Sequence, residues 1–314
     1  MTSALFLYLE FMENTMLNIR LNDGVEIPQI GFGTLNVQPD RSGSEASLAT
    51  AERVVSLALQ AGYRHIDTAQ MYGNERGVGR AIAASGIPCQ ELFITSKLGN
   101  GNHKPDAVRR SLEQTLTYIG VERLDLFLMH WPLPTRYDGD YVSTWQAITE
   151  LRQEELVRSV GVSNFEPDHL DRIITETGVR PSVNQIEVHP QFSNRAACDA
   201  TERHEVAVEA YSPLGHGAVL GNPTIADVAA ALARTPAQVI LRWHLQHGRI
   251  VIPKSVSQER MVENLTIEDF ALTAEHMNAI DGLDNPTSGR VGLDPNTFDW
   301  IPDENTTAPP ASSR

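Results

Sequence analysis

Leu124-Asp125-Leu126-Phe127-Leu128-Met129-His130-Trp131-Pro132 decides the fold of this chain. It is a short apolar run ending on a histidine, and residues 124–130 read as a strand. Upstream, 105–118 carries the apolar spacing of an amphipathic helix, and 142–153 does so downstream. The same unit of strand, loop and helix repeats in both directions. Strands are predicted at 29–33, 64–67, 92–97, 124–130, 159–163, 183–188, 206–211 and 250–253, with further helical patterns at 47–61, 167–176 and 236–246. The last begins on Pro236, where a helix start makes the missing N–H costless. Eight strands alternating with helices predict an α/β fold with a parallel sheet. Eight such units favour closure into a (β/α)8 TIM barrel over a doubly wound sheet.

Ahead of the repeat, residues 17–21 and 25–27 flank Asn22-Asp23-Gly24, a pair of short strands around a tight turn. This β-hairpin is expected to close the bottom of the barrel. No G-x-G-x-x-G follows an early strand: Gly31-Phe32-Gly33 lacks the third glycine and opens no helix. A Rossmann phosphate loop is therefore absent, and a nicotinamide enzyme of this shape must hold its phosphates elsewhere.

The chain has 314 residues, 41% of them hydrophobic and 21% charged, which suits one large domain. Residues 16–303 are assigned to the barrel, 1–15 to a flexible leader or upstream start, and 304–314 to a disordered tail rich in Thr, Pro, Ala and Ser. A net charge of -15 argues against nucleic acid. A small anionic substrate remains compatible with it, because a local basic pocket can sit on an acidic protein. Cys89 and Cys198 form no C-x-x-C or Cys/His pattern, so no disulfide framework and no metal site is expected. They read as reduced thiols of a cytoplasmic protein. No apolar run approaches membrane-spanning length. Ala4-Leu5-Phe6-Leu7-Tyr8-Leu9 lacks the basic flank and cleavage site of a signal peptide.

Barrel chemistry sits at the C-terminal ends of the strands. The second strand ends at Asp67, and its loop carries Tyr72; the third ends at Lys97 and the fourth at His130. Taken singly, an Asp there is a turn residue, a Lys is solvated and a His is core. Four arriving at one mouth from adjacent strands suit hydride delivery to a carbonyl. Negative charge then builds on oxygen and needs a proton donor. Tyrosine can donate, but with a free pKa of about 10 it is a weak acid. A buried Lys beside it would pull that pKa down, Asp would keep the Lys charged, and a neutral His could orient the carbonyl.

These residues lie in Gly62-Tyr63-Arg64-His65-Ile66-Asp67-Thr68-Ala69, in Ile94-Thr95-Ser96-Lys97-Leu98 and in the segment quoted first. Together with 161–165, 183–190, 212–215, 253–265 and 288–291, they make the chain resemble the aldo-keto reductase superfamily. The likeness is greatest to its bacterial 2,5-diketo-gluconic acid reductase branch, and it runs from about the hairpin to the start of the tail. The resemblance implies Tyr72 as general acid/base, Lys97 and Asp67 as its tuning pair and His130 as carbonyl orienter. It implies NADPH bound across the barrel mouth. Gly33, Thr34 and Asp67 would line the cofactor site. Ser163, Asn164 and Gln185 would hold the nicotinamide carboxamide, and Tyr211 would stack on the ring. Ser212 and Leu214 would lie over the pyrophosphate, while Lys254, Ser255 and Arg260 would clamp the 2′-phosphate, with Glu263 and Asn264 on the adenine. Family members are commonly monomers.

The substrate would be a small aldehyde, ketone, keto-sugar or keto-acid, held by Phe32, Tyr72, His130 and Trp131, with Trp300 as a further wall. Many relatives carry Trp where this chain has Gly99, which predicts a wider pocket, and Gly101-Asn102-His103 also departs from the usual loop. Two rival readings compete. A non-catalytic NADPH-binding regulatory module of the same fold has no chemical need for the tuned tyrosine. A metal-dependent hydrolase needs several ligands at the strand ends, and His65, Glu187 and His189 read instead as structural.

Overall fold

The computed structural model describes residues 17–302, so the expected leader and tail lie outside the described residues. The hairpin consists of β1 (Asn18–Arg20) and β2 (Glu26–Pro28), antiparallel with Ile19 opposite Ile27. Gly24 takes φ +87°, a left-handed conformation that suits a residue without Cβ.

One eight-stranded sheet follows, every neighbouring pair parallel. Its strands are β3 (Phe32–Gly33), β4 (His65–Asp67), β5 (Phe93–Leu98), β6 (Leu124–Met129), β7 (Val157–Ser163), β8 (Val183–Glu187), β9 (Ala207–Tyr211) and β10 (Ile250–Val251). The sheet curls until its ends meet. Ile30 bridges Val251 in parallel, with Gly31 N–H donating to Val251 O at 2.8 Å and Val251 N–H to Gln29 O at 2.9 Å.

Helices pack outside: α1 (Glu45–Ala61), α2 (Glu75–Ser85), α3 (Pro105–Ile119), α4 (Val142–Gln153), α5 (Pro167–Thr177) and α6 (Arg195–Arg203) come first. Then follow α7 (Pro223–Leu232), α8 (Pro236–Gln246), α9 (Gln258–Leu265) and α10 (Ala274–Asp281). Five of these correspond to the patterns read above; α2, α6, α7, α9 and α10 add to them. Helix α2 carries two glycines that weaken its pattern, and packing requires both: a Cβ on Gly77 would lie 2.7 Å from Leu48 O of α1. A Cβ on Gly79 would lie 2.5 Å from Ile119 O, so the helix can approach α3 only without a side chain there.

Strand alternation sorts the core into two sets. Phe127 and Met129 face outward with Ile66, Ile94 and Val160, in one buried cluster with helix residues such as Trp145 and Trp243. Leu126 and Leu128 face inward, with Phe93, Val183, Ile250 and the hairpin residues Leu21 and Ile27. The barrel interior is thus apolar at the N-terminal end. The inward positions that follow on neighbouring strands carry Lys97, Gln185, Glu187, Glu209 and Tyr211, which makes the C-terminal end polar.

Candidate active site

Period two alone places Asp67 and Lys97 on inward positions of adjacent strands, with Asp67 opposite Thr95 in the register. Lys97 is fully buried, and its Nζ donates to Asp67 Oδ1 (2.6 Å), Asp67 Oδ2 (2.7 Å), Thr68 O (3.0 Å) and Tyr72 Oη (3.2 Å). Tyr72 sits on a single 3-10 turn, Gln70–Tyr72, that Gly73 ends at φ +69°. Gln38 Nε2 donates to Tyr72 O at 2.6 Å, and Asn74 Nδ2 to Thr34 O at 2.9 Å, which ties this turn to the loop after β3. The His130 ring meets the Tyr72 ring edge-on at 5.6 Å. The four residues named from the sequence therefore form one cluster.

Burial by itself would lower the Lys97 pKa, but the Asp67 charge and the hydrogen bonds to Asp67 and Tyr72 help hold it above the ordinary value. The ammonium is charged at neutral pH. Burial pushes the Asp67 carboxyl up while Lys97 pulls it back. For Tyr72 the outcome differs from the expectation above. Burial raises the phenol pKa by more than Lys97 lowers it, so the net direction is upward and the phenol keeps its proton. Burial, reinforced by Lys97, lowers His130 well below its usual value, so the ring is neutral. The cluster holds a phenol that can give a proton, a cation that can stabilise the phenolate left behind, and a neutral imidazole.

Around this cluster Ser163, Asn164, Gln185 and Tyr211 form one hydrogen-bonded group. Asn164 Nδ2 donates to His130 O (2.8 Å) and Ser163 Oγ (3.1 Å), and Tyr211 Oη to Asn164 Oδ1 (2.8 Å). Ser163 Oγ donates to Gln185 O at 2.8 Å, and Gln185 Nε2 reaches Asp67 Oδ2 at 2.8 Å. Gly33 lies beside Asp67 in the register, and Thr34 N–H donates to Asp67 O at 3.0 Å. Ser212 and Leu214, both half-buried, follow β9.

Lys254 and Arg260 are exposed and form no ion pair among the described residues, although the protein is acidic. Ser255 is buried, its hydroxyl donating to Ser257 O at 3.1 Å. Glu263 accepts Thr235 Oγ at 2.7 Å, and Asn264 is buried near Tyr63, whose phenol donates to Met261 O at 3.3 Å. The buried Thr34 Oγ lacks a partner among the described residues. An open acceptor or donor at the mouth and two unpaired cations at its edge fit a nicotinamide dinucleotide phosphate.

One substrate residue needs correction. Phe32 is fully buried edge-on against Tyr63, at 5.3 Å, in the layer between strands and helices. Gly33 pairs with inward-facing Asp67, so the residue before it must face out. Trp131 is at the mouth, its ring 4.1 Å from that of Phe298. Trp300 O accepts Asn100 Nδ2 at 2.8 Å, and Tyr137 Oη donates to Asn100 O at 2.6 Å. The wall beside Gly99 is thus completed by the chain's C-terminal segment.

Two buried carboxylates border the cluster; Glu187, read from the sequence as structural, does hold the fold together, and Glu209 went unnamed. Glu187 accepts the N–H groups of Val291 (2.6 Å) and Gly292 (2.8 Å) and lies 3.2 Å from His189 Nε2, so it straps the C-terminal segment beside Tyr211. Glu209 lies fully buried beneath Asp67. Its signal was present: it stands two residues before Tyr211 and so shares its inward face.

Comparison with known proteins adds an independent line. The aldo/keto reductase family profile matches residues 29–285. An aldo-keto reductase of Mycolicibacterium smegmatis is 44% identical over 282 residues, covering 90% of this chain and 98% of that protein. A crystal structure of a Gox0644 variant in complex with NADPH superposes with TM-score 0.83 at 43% identity, covering 91% of this chain and all (100%) of that one. A Bombyx mori aldo-keto reductase in complex with NADP superposes with TM-score 0.80 at 35% identity, covering 87% of this chain and 94% of that one.

Proposed function

Given that this chain belongs to the aldo/keto reductase family, we propose that it reduces a small carbonyl compound to the alcohol with NADPH, using Tyr72 as the general acid. The observation that carries the reading is the buried Lys97 ammonium, bonded at once to Asp67 and to the Tyr72 phenol. A cofactor-binding module would gain nothing from that arrangement.

NADPH supplies the hydride. Ser163, Asn164 and Gln185 would hold its carboxamide, Tyr211 would support the ring, and Lys254 and Arg260 would bind the 2′-phosphate, with Thr34 at the mouth. The neutral His130 ring donates a hydrogen bond to the substrate oxygen and fixes its pose. As negative charge grows on that oxygen, Tyr72 Oη gives up its proton. Lys97 then stabilises the phenolate, and Asp67 keeps Lys97 charged. Trp131, Phe298 and the C-terminal segment exclude water from the pocket.

Substrates are aldehydes, ketones, keto-sugars or keto-acids, in keeping with the diketo-gluconate likeness, and Gly99 leaves room for a branched one. The hairpin serves as the plug of the opposite end. The test follows NADPH absorbance with a panel of these carbonyls. Wild type turns over at least one class, and Tyr72→Phe binds NADPH with unchanged affinity but loses nearly all turnover. A wild type that binds NADPH yet reduces none of the panel, or a fully active Tyr72→Phe, overturns the reading.

A further inference from the structure

Gln185 and Glu209 are register partners on adjacent strands β8 and β9, so both side chains enter the barrel interior at one level. The Gln185 amide nitrogen donates to Asp67 Oδ2 at 2.8 Å and to Glu209 Oε2 at 3.0 Å. A primary amide has two N–H bonds, and both are taken. Among the described residues no group donates to Gln185 Oε1, so the amide oxygen is left for a partner outside the protein. The opposite amide orientation would set that oxygen against the ionised Asp67 and is excluded by repulsion. One bond to Asp67 still allows the amide to swing. The second, to Glu209, prevents it.

We infer that Glu209 is a positioning residue: by taking the second N–H of Gln185 it locks the amide so that its oxygen meets the carboxamide of the cofactor. The inference rests on the NADPH reading above and deepens it. Glu209 does not touch substrate or cofactor.

The surroundings of Glu209 tell which protonation state does this. Its other oxygen, Oε1, has no hydrogen-bond partner among the described residues and lies 3.7 Å from His65 Nε2. His65 faces Thr95 Oγ at 3.1 Å, and burial lowers its pKa to about 3, so it brings no charge. Among the described residues the cation acting on it, Lys97, is bonded to Asp67 and Tyr72. Burial first and the Asp67 charge second push the Glu209 carboxyl up to about 8. At neutral pH it is a protonated acid whose carbonyl oxygen accepts from Gln185. Above that value it carries a second negative charge beneath the Lys97–Asp67 pair, which opposes loss of the Tyr72 proton.

The test compares the full-length wild type with Glu209→Leu and Glu209→Gln. The readouts are NADPH Kd by fluorescence quenching, kcat and KM for NADPH from pH 6 to about 9.5, and thermal melts. The leucine variant is expected to raise NADPH Kd and KM about three- to tenfold, the worth of one hydrogen bond, with a smaller change in kcat. The glutamine variant keeps a carbonyl oxygen for Gln185. It returns KM to within about twofold of wild type and lacks the alkaline inflection that wild type shows near pH 8. A leucine variant that binds NADPH like wild type, or a glutamine variant as impaired as leucine, overturns the inference. Should Glu209→Leu fail to fold, Glu209→Gln decides alone: loss of the inflection with retained affinity supports the role, and a persisting inflection overturns it. A wild type that neither binds nor consumes NADPH refutes the reductase reading itself. Active wild type with two indifferent variants refutes only the role of Glu209.

Discussion

Replacing Lys97 by methionine removes the ammonium and keeps most of the side-chain volume. Four hydrogen bonds disappear, two of them to Asp67 at 2.6 and 2.7 Å. Asp67 is then left with a Gln185 N–H and no cation, inside a site with almost no solvent access. Breaking a buried pair in this way costs about 3–5 kcal/mol, which lowers Tm by on the order of 10 °C in a chain of this size. The cost depends on pH with a definite sign. Without Lys97, burial raises the folded pKa of Asp67 further above the unfolded value of 3.8, opposed by the remaining Gln185 hydrogen bond. The folded state then binds the proton more tightly than the unfolded one, so the variant loses stability relative to wild type as pH rises. Activity suffers separately. The phenolate of Tyr72 loses the cation bonded to it, and proton donation of this kind is worth about 10²–10⁴ in rate. Melts of both proteins at pH 5.5 and 8.5, with kcat measured by NADPH absorbance, test the chain of reasoning. A variant melting within about 2 °C of wild type at both pH values, or retaining more than about a tenth of kcat, would show that the buried pair does not carry the load assigned to it.

Other outcomes are equally definite. His130→Ala removes the neutral imidazole beside Tyr72; kcat should fall about 10²–10³-fold with NADPH Kd unchanged, and an unchanged kcat excludes a polarising role. Lys254→Met with Arg260→Ala should raise KM for NADPH tenfold or more, roughly, while leaving KM for NADH alone. Equal effects on both cofactors would place the 2′-phosphate elsewhere. Acid should destabilise the protein early. Burial holds His65 at about 3, His103 at about 4, and His130 and His244 well below 6.5. Each contributes stability present above the unfolded value of about 6.5 and lost as pH falls toward the folded one, with Glu209 opposing part of the trend. Tm measured at pH 7 and pH 5 should drop accordingly; no drop means that these rings gain partners on protonation.

Sequence by itself determined the eight-beat architecture and singled out the four residues that the fold brings into one cluster. Both depend on local rules: apolar runs of strand length alternate with helical spacing, and strand ends of a barrel share one mouth. Asp67, Lys97 and His130 were legible because each terminates an apolar strand, and Tyr72 because it follows one closely. Facing was not read strand by strand. Phe32 looked like a pocket wall until its neighbour Gly33 was seen paired with inward-facing Asp67. Helix α2 was obscured by Gly79, whose purpose is contact with a carbonyl of α3, distant in sequence. The remaining features depend on pairs that no spacing announces. Gln185 and Glu209 lie 24 positions apart and meet only through strand register. Glu187 and Val291, 104 positions apart, meet only because the C-terminal segment crosses the barrel mouth. Tertiary structure also decided the sign of the Tyr72 shift. From sequence, the nearby lysine argues for a lowered pKa. Only the folded chain shows that the phenol is buried deeply enough for desolvation to outweigh that charge, because burial, unlike neighbouring charge, is a property of everything that packs around a group.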